Sequence, residues 1–346
     1  MAKKRMWSTI LLTVSAAVLF SGCGSGSGSA QNAAGGGEAG GSGGTLSFYT
    51  SQPEEDAAKL VEAFRQKHPD IQVETFRSGT EEVVAKLQAE KQAGQVQADV
   101  LLVADSVTFE ALKEQDMLKA YKSPEAGKIP SELIDPDGMY AGTKVIATIL
   151  AANTDKAASL PASWKVLGEQ SAKSQAIMPS PLYSGAAAYN VGVFTRSDAF
   201  GWDYMQALKN NDMTVIKGNG AVLKAVASGE KTYGMVVDYM VAREKEKGSP
   251  IDLVYPEEGV PVITEPIGIL KDAKNAEGAE AFVDFVLSEE GQKLAADIGY
   301  TPVREGIDAP EGLKSLDEMK LMSADLKTLT AEREEDKKKF TDLFGG

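Results

Sequence analysis

The segment TLSFYTSQPEEDAAKLVEAFRQKHPDIQVETFRSGTEEVVAKLQAE, residues 45–90, changes its hydrophobic period three times. Leu46 and Phe48 alternate with polar neighbours, the period-2 pattern of a short strand over 45–50. Ser51-Gln52-Pro53-Glu54 then matches a capping box, with Glu54, Glu55 and Asp56 in an acidic first turn. Ala57, Leu60, Val61 and Phe64 follow at helical spacing. Residues 70–76 return to a strand, and Ser78-Gly79-Thr80-Glu81 repeats the capping box ahead of Val83, Val84 and Leu87. ADVLLVA at 98–104 is apolar apart from Asp99, as a buried parallel strand should be, and Asp105-Ser106 opens another helix. Strand and helix alternating in this way predict an α/β layer architecture with right-handed crossovers.

The pattern continues outward. Residues 142–154 and the stretch YGMVV at 233–237 read as strands. AIMPSP at 176–181 leads into a helix start at 184–188, and Asp238 begins a helix that stops at Gly248. VPVITEPIGIL at 260–270 is extended but interrupted by proline, which suits a crossing segment better than a central strand. Residues 276–298 carry Phe282, Phe285, Val286 and Leu294 on one helical face. The tail from Asp317 is charged and amphipathic and is expected as outer helices. Within it, the cluster from Arg333 to Lys339 is expected as a solvated helix face.

Upstream, residues 1–22 have the layout of a signal peptide. Lys3, Lys4 and Arg5 form a basic region, and Ser8 to Phe20 is an uncharged apolar run. That run is shorter than the roughly 20 residues a membrane span needs. It ends in Phe20-Ser21-Gly22-Cys23, and Cys23 is the only cysteine of the chain. The ending resembles a bacterial lipobox with Phe20 in place of leucine, which implies lipidation of Cys23 and anchoring of the exported chain on the outer face of the cytoplasmic membrane. Residues 23–44 hold 10 glycines and no large apolar side chain, so they read as a flexible tether.

Composition excludes several classes of function. Against 36 Lys+Arg stand 50 Asp+Glu, a formal net charge of -14, so a nucleic-acid partner is not expected. One Cys and one His exclude a disulfide framework, a cysteine zinc cluster and a multi-histidine metal site. No nucleophile elbow, zincin motif or phosphate-binding loop is present, so neither an enzyme nor a cofactor is expected. His68, in the turn before Pro69, is expected as a surface or helix-capping residue.

Three strand ends run directly into helix starts: Thr50-Ser51, Ser78-Gly79-Thr80 and Ser184-Gly185-Ala186. A helix start presents unpaired N–H groups and the positive end of its dipole, and in α/β sheets ligands collect at these strand ends. The same residues also suit plain capping. Asp238, after YGMVV, could hold an ammonium or hydroxyl or act as a cap, and Tyr49 could wall the site or join the core.

Taken together, these segments resemble the extracellular solute-binding lipoproteins of ABC importers, in the group that contains ferric-ion, phosphonate and sugar-phosphate carriers. The similarity runs through QADVLLVAD, AANTDK, MPSPLYSGAAA, YGMVVDY and GYTPVR, from about Leu46 to Arg304. It implies a two-lobe periplasmic-binding-protein-like fold of type II with two crossing strands as the hinge. Lobe 1 would comprise 45–147 plus 262–346 and lobe 2 would comprise 148–261, with the hinge near Ile149-Leu150 and Pro261-Val262. The partners implied are a permease and its ATPase, with the carrier as a monomer.

Ferric carriers of this group present two adjacent tyrosines after the strand that here reads YGMVV, where this chain has Asp238-Tyr239. Their histidine near the first strand is replaced by Tyr49-Thr50-Ser51. The expectation is therefore a small anionic solute, a phosphonate or phosphorylated organic compound. It would be held by Tyr49, Thr50, Ser51, Ser78, Gly79, Thr80, Ser184, Gly185 and Ala186, with Asp238 and Tyr239 at its other end. A ferric carrier of the same family and an exported phosphohydrolase are the alternatives.

Overall fold

The computed structural model describes residues 43–345. The leader, Cys23 and all but the end of the tether lie outside the described residues. The first stretch is β1 (Gly44–Thr50), α1 (Glu54–Lys67), β2 (Ile71–Arg77), α2 (Thr80–Gln92), β3 (Val100–Leu102), α3 (Ser106–Glu114) and β4 (Leu118–Lys119). β1 pairs in parallel with both β2 and β3. α1 stops where His68 caps it by donating its N–H to Phe64 O, and Pro69 follows.

A 13-residue strand, β5 (Ala141–Asn153), buried along its whole length, carries the chain onward. Beyond it come β6 (Ala176–Pro179), α4 (Gly185–Arg196), α5 (Gly201–Asn210), β7 (Thr214–Ile216), α6 (Asn219–Ala227), β8 (Tyr233–Val237), α7 (Asp238–Glu246) and β9 (Ile251–Val254). β10 (Val260–Leu270) returns toward the first strands, followed by α8 (Ala276–Leu287), α9 (Glu289–Ile298), β11 (Thr301–Pro302), β12 (Leu321–Met322) and α10 (Leu326–Phe344).

The main strands run in the order β2-β1-β3-β10-β5-β8-β6-β7 in one curled sheet. β5 changes partners between Ala147, opposite Val262 of β10, and Thr148, opposite Val237 of β8. The result is a two-lobe α/β fold whose halves share β5.

Phe48, Phe64, Phe282 and Phe285 form one aromatic nest, with ring centroids 4.8–5.7 Å apart. Trp164, Phe194, Phe200 and Tyr204 form another on the far side of β5. Burial of each such ring is worth about 1.5–3 kcal/mol.

Several sequence expectations need correction. β10 is a central strand, flanked by β3 and β5. Pro266 follows an irregularity in the pairing with β5 between Thr264 and Pro266, and Pro261 precedes that ladder, which begins at Val262. The helix expected over 276–298 breaks at Ser288, which caps α9 by accepting from Gly291 N. Neither expected capping box forms at α1 or α2. Their caps are Pro53 and Gly79, with no side-chain cap bond. Finally, the Arg333–Lys339 cluster is a solvated face only in part: Glu334, Glu335, Lys338 and Lys339 are exposed, but Arg333 and Asp336 are buried.

Candidate functional site

A cleft of about 450 Å3 lies across the shared strands and is walled from both halves. α1 contributes Pro53 and Glu54, α2 contributes Gly79 and Thr80, and α4 contributes Gly185 and Ala186 beside its cap Ser184. From α6 come Asn219, Gly220 and Ala221 beside Gly218, and α7 adds Tyr239 and Met240. The floor is Ile146 of β5 with Ile263 and Glu265 of β10. All five helices (α1, α2, α4, α6 and α7) turn their first residues to one cavity.

Glycine is required here for a geometric reason. A Cβ on Gly185 would stand 2.5 Å from Ala104 O and 2.9 Å from the Thr80 side chain. A Cβ on Gly79 would stand 2.6 Å from the ring and carbonyl of Tyr183, and one on Gly218 3.0 Å from the same ring. The Tyr183 ring is thus seated between the starts of α2 and α6. Main chain meets main chain across the cleft, where Glu81 N donates to Tyr183 O at 3.3 Å.

Ser184 caps α4 by accepting from Ala187 N at 3.3 Å, and its Oγ also accepts from Asn219 Nδ2 at 3.4 Å. The N–H groups of Gly185 and Ala186 are left among the unpaired donors of a first turn. None of these helix starts has a basic residue, so the positive potential there comes from the backbone dipoles. Two cations stand at the rim. Arg77 Nε donates to Gln52 O at 2.6 Å, and Lys217 Nζ lies 2.9 Å from Glu82.

Glu265 is the acidic counterpart on the floor. It is 4% exposed, and Lys144 Nζ lies 2.5 Å from its Oε2, but the contact geometry leaves Oε2 without a directed hydrogen bond. Lys144 also sits 4.8 Å over the Tyr300 ring. Tyr300 donates to Asp56 at 2.6 Å, and Arg243 of α7 grips Asp56 with two nitrogens.

Of the residues expected at the site, Ser51, Gly79, Thr80, Ser184, Gly185, Ala186 and Tyr239 come together on the cleft wall. Ser51 Oγ accepts from Ala104 N at 3.3 Å and so ties the end of β1 to the end of β3. The others do not reach the cleft. Tyr49 is buried against Phe76 with its hydroxyl on Glu90, an alternating strand residue that faces the outer core. Thr50 is fully buried and donates to Leu102 O, so it serves the sheet. Ser78 donates to Glu82 in a half-exposed turn.

Asp238 is the larger correction. Its Oδ1 accepts from Ala147 N and Tyr239 N, and its Oδ2 accepts from Tyr255 OH. The carboxylate is spent on pinning β5 at the point where that strand changes partners. Desolvation pushes its pKa up to about 7, while those hydrogen bonds pull the other way. Tyr239 borders the cleft, but its ring packs on Tyr300 at 4.2 Å and lies 4.7 Å from the Arg243 guanidinium. Burial raises its phenol well above the usual value.

Sequence reasoning missed the start of α6, Arg77, Lys217 and Glu265. The first had a signal, since Gly218-Asn219-Gly220-Ala221 follows the short strand Thr214–Ile216 as the other helix starts follow theirs. A charged side chain near the cleft carries no such mark.

Comparison with known proteins fixes the family. Residues 59–320 match the family model described as bacterial extracellular solute-binding protein. The chain is 24% identical over 271 residues to a probable ABC transporter periplasmic-binding protein of Sinorhizobium fredii, covering 75% of this chain and 74% of that one. The periplasmic binding protein AfuA from Actinobacillus pleuropneumoniae, solved with exogenous fructose-6-phosphate bound, superposes with a TM-score of 0.80 at 26% identity. That match covers 87% of this chain and 98% of AfuA. Iron-bound HitA from Pseudomonas aeruginosa gives a TM-score of 0.76 at 25% identity, over 86% and 99% of the two chains. The chain belongs to the bacterial extracellular solute-binding proteins. Among the described residues no helix is long and apolar enough to cross a membrane.

Proposed function

We propose that this solute-binding protein captures a small organic oxyanion, a phosphorylated or phosphonate compound, and hands it unchanged to a membrane permease driven by its ATPase. The observation that carries this reading is the meeting of the α2, α4 and α6 starts, rich in glycine and alanine, on one cleft from both sides of β5 and β10. Backbone donors arranged in this way suit an oxyanion. Glu265, on the cleft floor in an ion pair with Lys144, is the carboxylate placed to meet a hydroxyl or ammonium at the solute's other end, the role the sequence had suggested for Asp238.

Lobe 1 would be 45–147 plus 262–346 and lobe 2 would be 148–261, closing about β5 and β10 when the solute favours the closed form. Cys23 would carry the lipid and residues 23–44 the tether, holding a monomeric carrier at the membrane.

The likeness to iron-bound HitA supports a ferric reading as far as fold goes. The donor set here is the argument against it. A hard ferric ion wants several anionic oxygens, whereas the two phenols lining the cleft are not paired for one: Tyr239 lies under Arg243 and beside Tyr300, and the Tyr183 ring is seated against Gly79 and Gly218 under Lys217.

A thermal-shift panel tests the proposal. It contains sugar phosphates, an aminoalkylphosphonate, inorganic phosphate and ferric citrate, with released phosphate measured in parallel. At about 100 times Kd, a true solute stabilises by about 2.7 kcal/mol. Stabilisation by an organic phosphate or phosphonate without turnover is the expected result. A ferric-tyrosinate absorption band or phosphate release would overturn it.

A further inference from the structure

Opposite charges on α10 fall into two stripes. Arg333 and Lys337, one turn apart, face the first half: Arg333 donates to Asp105 Oδ2 at 3.0 Å and to Glu81 Oε1 at 2.8 Å, and Lys337 reaches Glu81 Oε2 at 2.7 Å. Glu332 and Asp336, also one turn apart, face the second half, where both accept from Arg196 of α4, at 2.7 and 2.6 Å. Residues four apart share a helix face, and adjacent residues point about 100° apart, so one helix can hold both partners at once. Four of these side chains are deeply buried: Arg333 is 9% exposed, Asp105 1%, Asp336 6% and Glu81 14%. A tight approach adds to the link, since a Cβ on Gly192 of α4 would stand 2.6 Å from Leu329 of α10.

The anchors are not remote from the cleft. Glu81 is the residue whose N–H crosses to Tyr183 O, and Asp105 follows Ala104, whose carbonyl lies against Gly185. Parting the start of α2 from the start of α4 must therefore tear one stripe of α10 from its partner. A helix that only covered core would have no reason to divide its charges between two halves.

We infer that α10 is a strap that positions the two anion-facing helix starts: Arg333 and Arg196, joined through it, hold the halves together and set how often the cleft is closed before any solute arrives. The inference rests on the solute-binding reading for its consequence, but the strap itself can be measured without a solute. An apparent dissociation constant is the intrinsic one divided by the closed fraction, so a strap cut that lowers that fraction about tenfold weakens binding about tenfold.

The test uses the full chain with Cys23→Ser, Gln92→Cys and Lys224→Cys, spin-labelled at two exposed positions on α2 and α6. Pulsed dipolar spectroscopy then gives the distribution of separations between the halves, and circular dichroism checks the fold. Without solute, the parent should show a dominant short separation. Arg196→Gln and Asp336→Asn should shift weight to longer separations, and Arg196→Lys should restore most of the short population. If the buried changes prevent folding, Glu332→Gln on the exposed side of the contact decides, with a smaller shift of the same sign expected. Distributions identical to the parent in the folded variants overturn the strap, whatever solute binds. A shift in those variants together with no response to any member of the solute panel leaves the strap standing and removes the oxyanion reading instead.

Discussion

The wall of the cleft and the frame around it are built from different chemistry. Where α2, α4 and α6 start, the wall is neutral: glycines, alanines, serine and threonine hydroxyls, brought within van der Waals reach across the two halves, with the charges of Glu54, Arg77 and Lys217 set around them. The frame is ionic and buried, with Lys144 on Glu265, Arg243 on Asp56, and Arg333 on Asp105 and Glu81. Burial alone would push Glu81 up, but Arg333 and Lys337 reverse this and hold its carboxyl below the usual range. The contrast teaches that full charges do the holding while dipoles are left free for a solute. A dipole-lined wall can grip an anion and release it, where a fixed cation would hold it more firmly.

The largest expected break of that contrast lies in the frame. Glu265→Gln leaves Lys144 charged and unpaired in the interior, which should cost about 3–5 kcal/mol in chemical denaturation. A loss below 1 kcal/mol would mean that the pair is screened and the frame is not ionic in effect.

The next break is in the wall. Gly185→Ala puts a methyl group into Ala104 O, so the starts of α2 and α4 cannot meet. Solute affinity should fall about 100-fold or more, and because the unliganded chain already rests mostly closed, its melting temperature should fall as well. Equal affinity would show that closure does not need this contact.

A third sharpening concerns Asp238, which belongs to the frame but has no cationic partner. Its folded pKa, about 7, lies above the ordinary carboxylate value, so the folded state binds the extra proton. Its contribution to stability is therefore complete below about pH 4 and is lost as pH rises through about 7. The slope should approach about 1.4 kcal/mol per pH unit in that window. Asp238→Asn should flatten it, as read by denaturation at several pH values.

The smallest effect is at the rim. Lys217→Ala removes a pair with Glu82 that is more than half exposed on the lysine side, and stability should stay essentially unchanged. Its mark should be a slower, less salt-sensitive association.

Much of this arrangement was legible in the sequence, because periodicity and strand-end position are local properties. Alternation at Leu46 and Phe48, and the i, i+3, i+4 run from Ala57, are written in a few neighbouring residues, and the stretch 142–154 likewise read as a strand. The wall was partly legible for the same reason: Gly79-Thr80 and Ser184-Gly185-Ala186 stand where strands give way to helices. The frame was not. Asp238 was a fair candidate for a ligand until its oxygens proved to be taken by Ala147, Tyr239 and Tyr255, residues up to 91 positions away. Arg333 and Asp336 looked solvated because charge runs usually are, and only tertiary packing gives them Asp105 and Arg196 as partners. β10 was misjudged because its prolines argued against a central strand, whereas Pro261 precedes the ladder with β5 and Pro266 follows its irregular register at Thr264.

The central claim, that neutral helix starts grip an oxyanion, is tested most directly by isothermal titration with a phosphorylated solute and its dephosphorylated parent alcohol, on the unaltered protein and on Ser184→Asp. The account predicts saturable heat with the phosphorylated compound alone, abolished when a carboxylate stands at the start of α4 while the fold persists. Equal binding of the parent alcohol, or undiminished binding by Ser184→Asp, would contradict it.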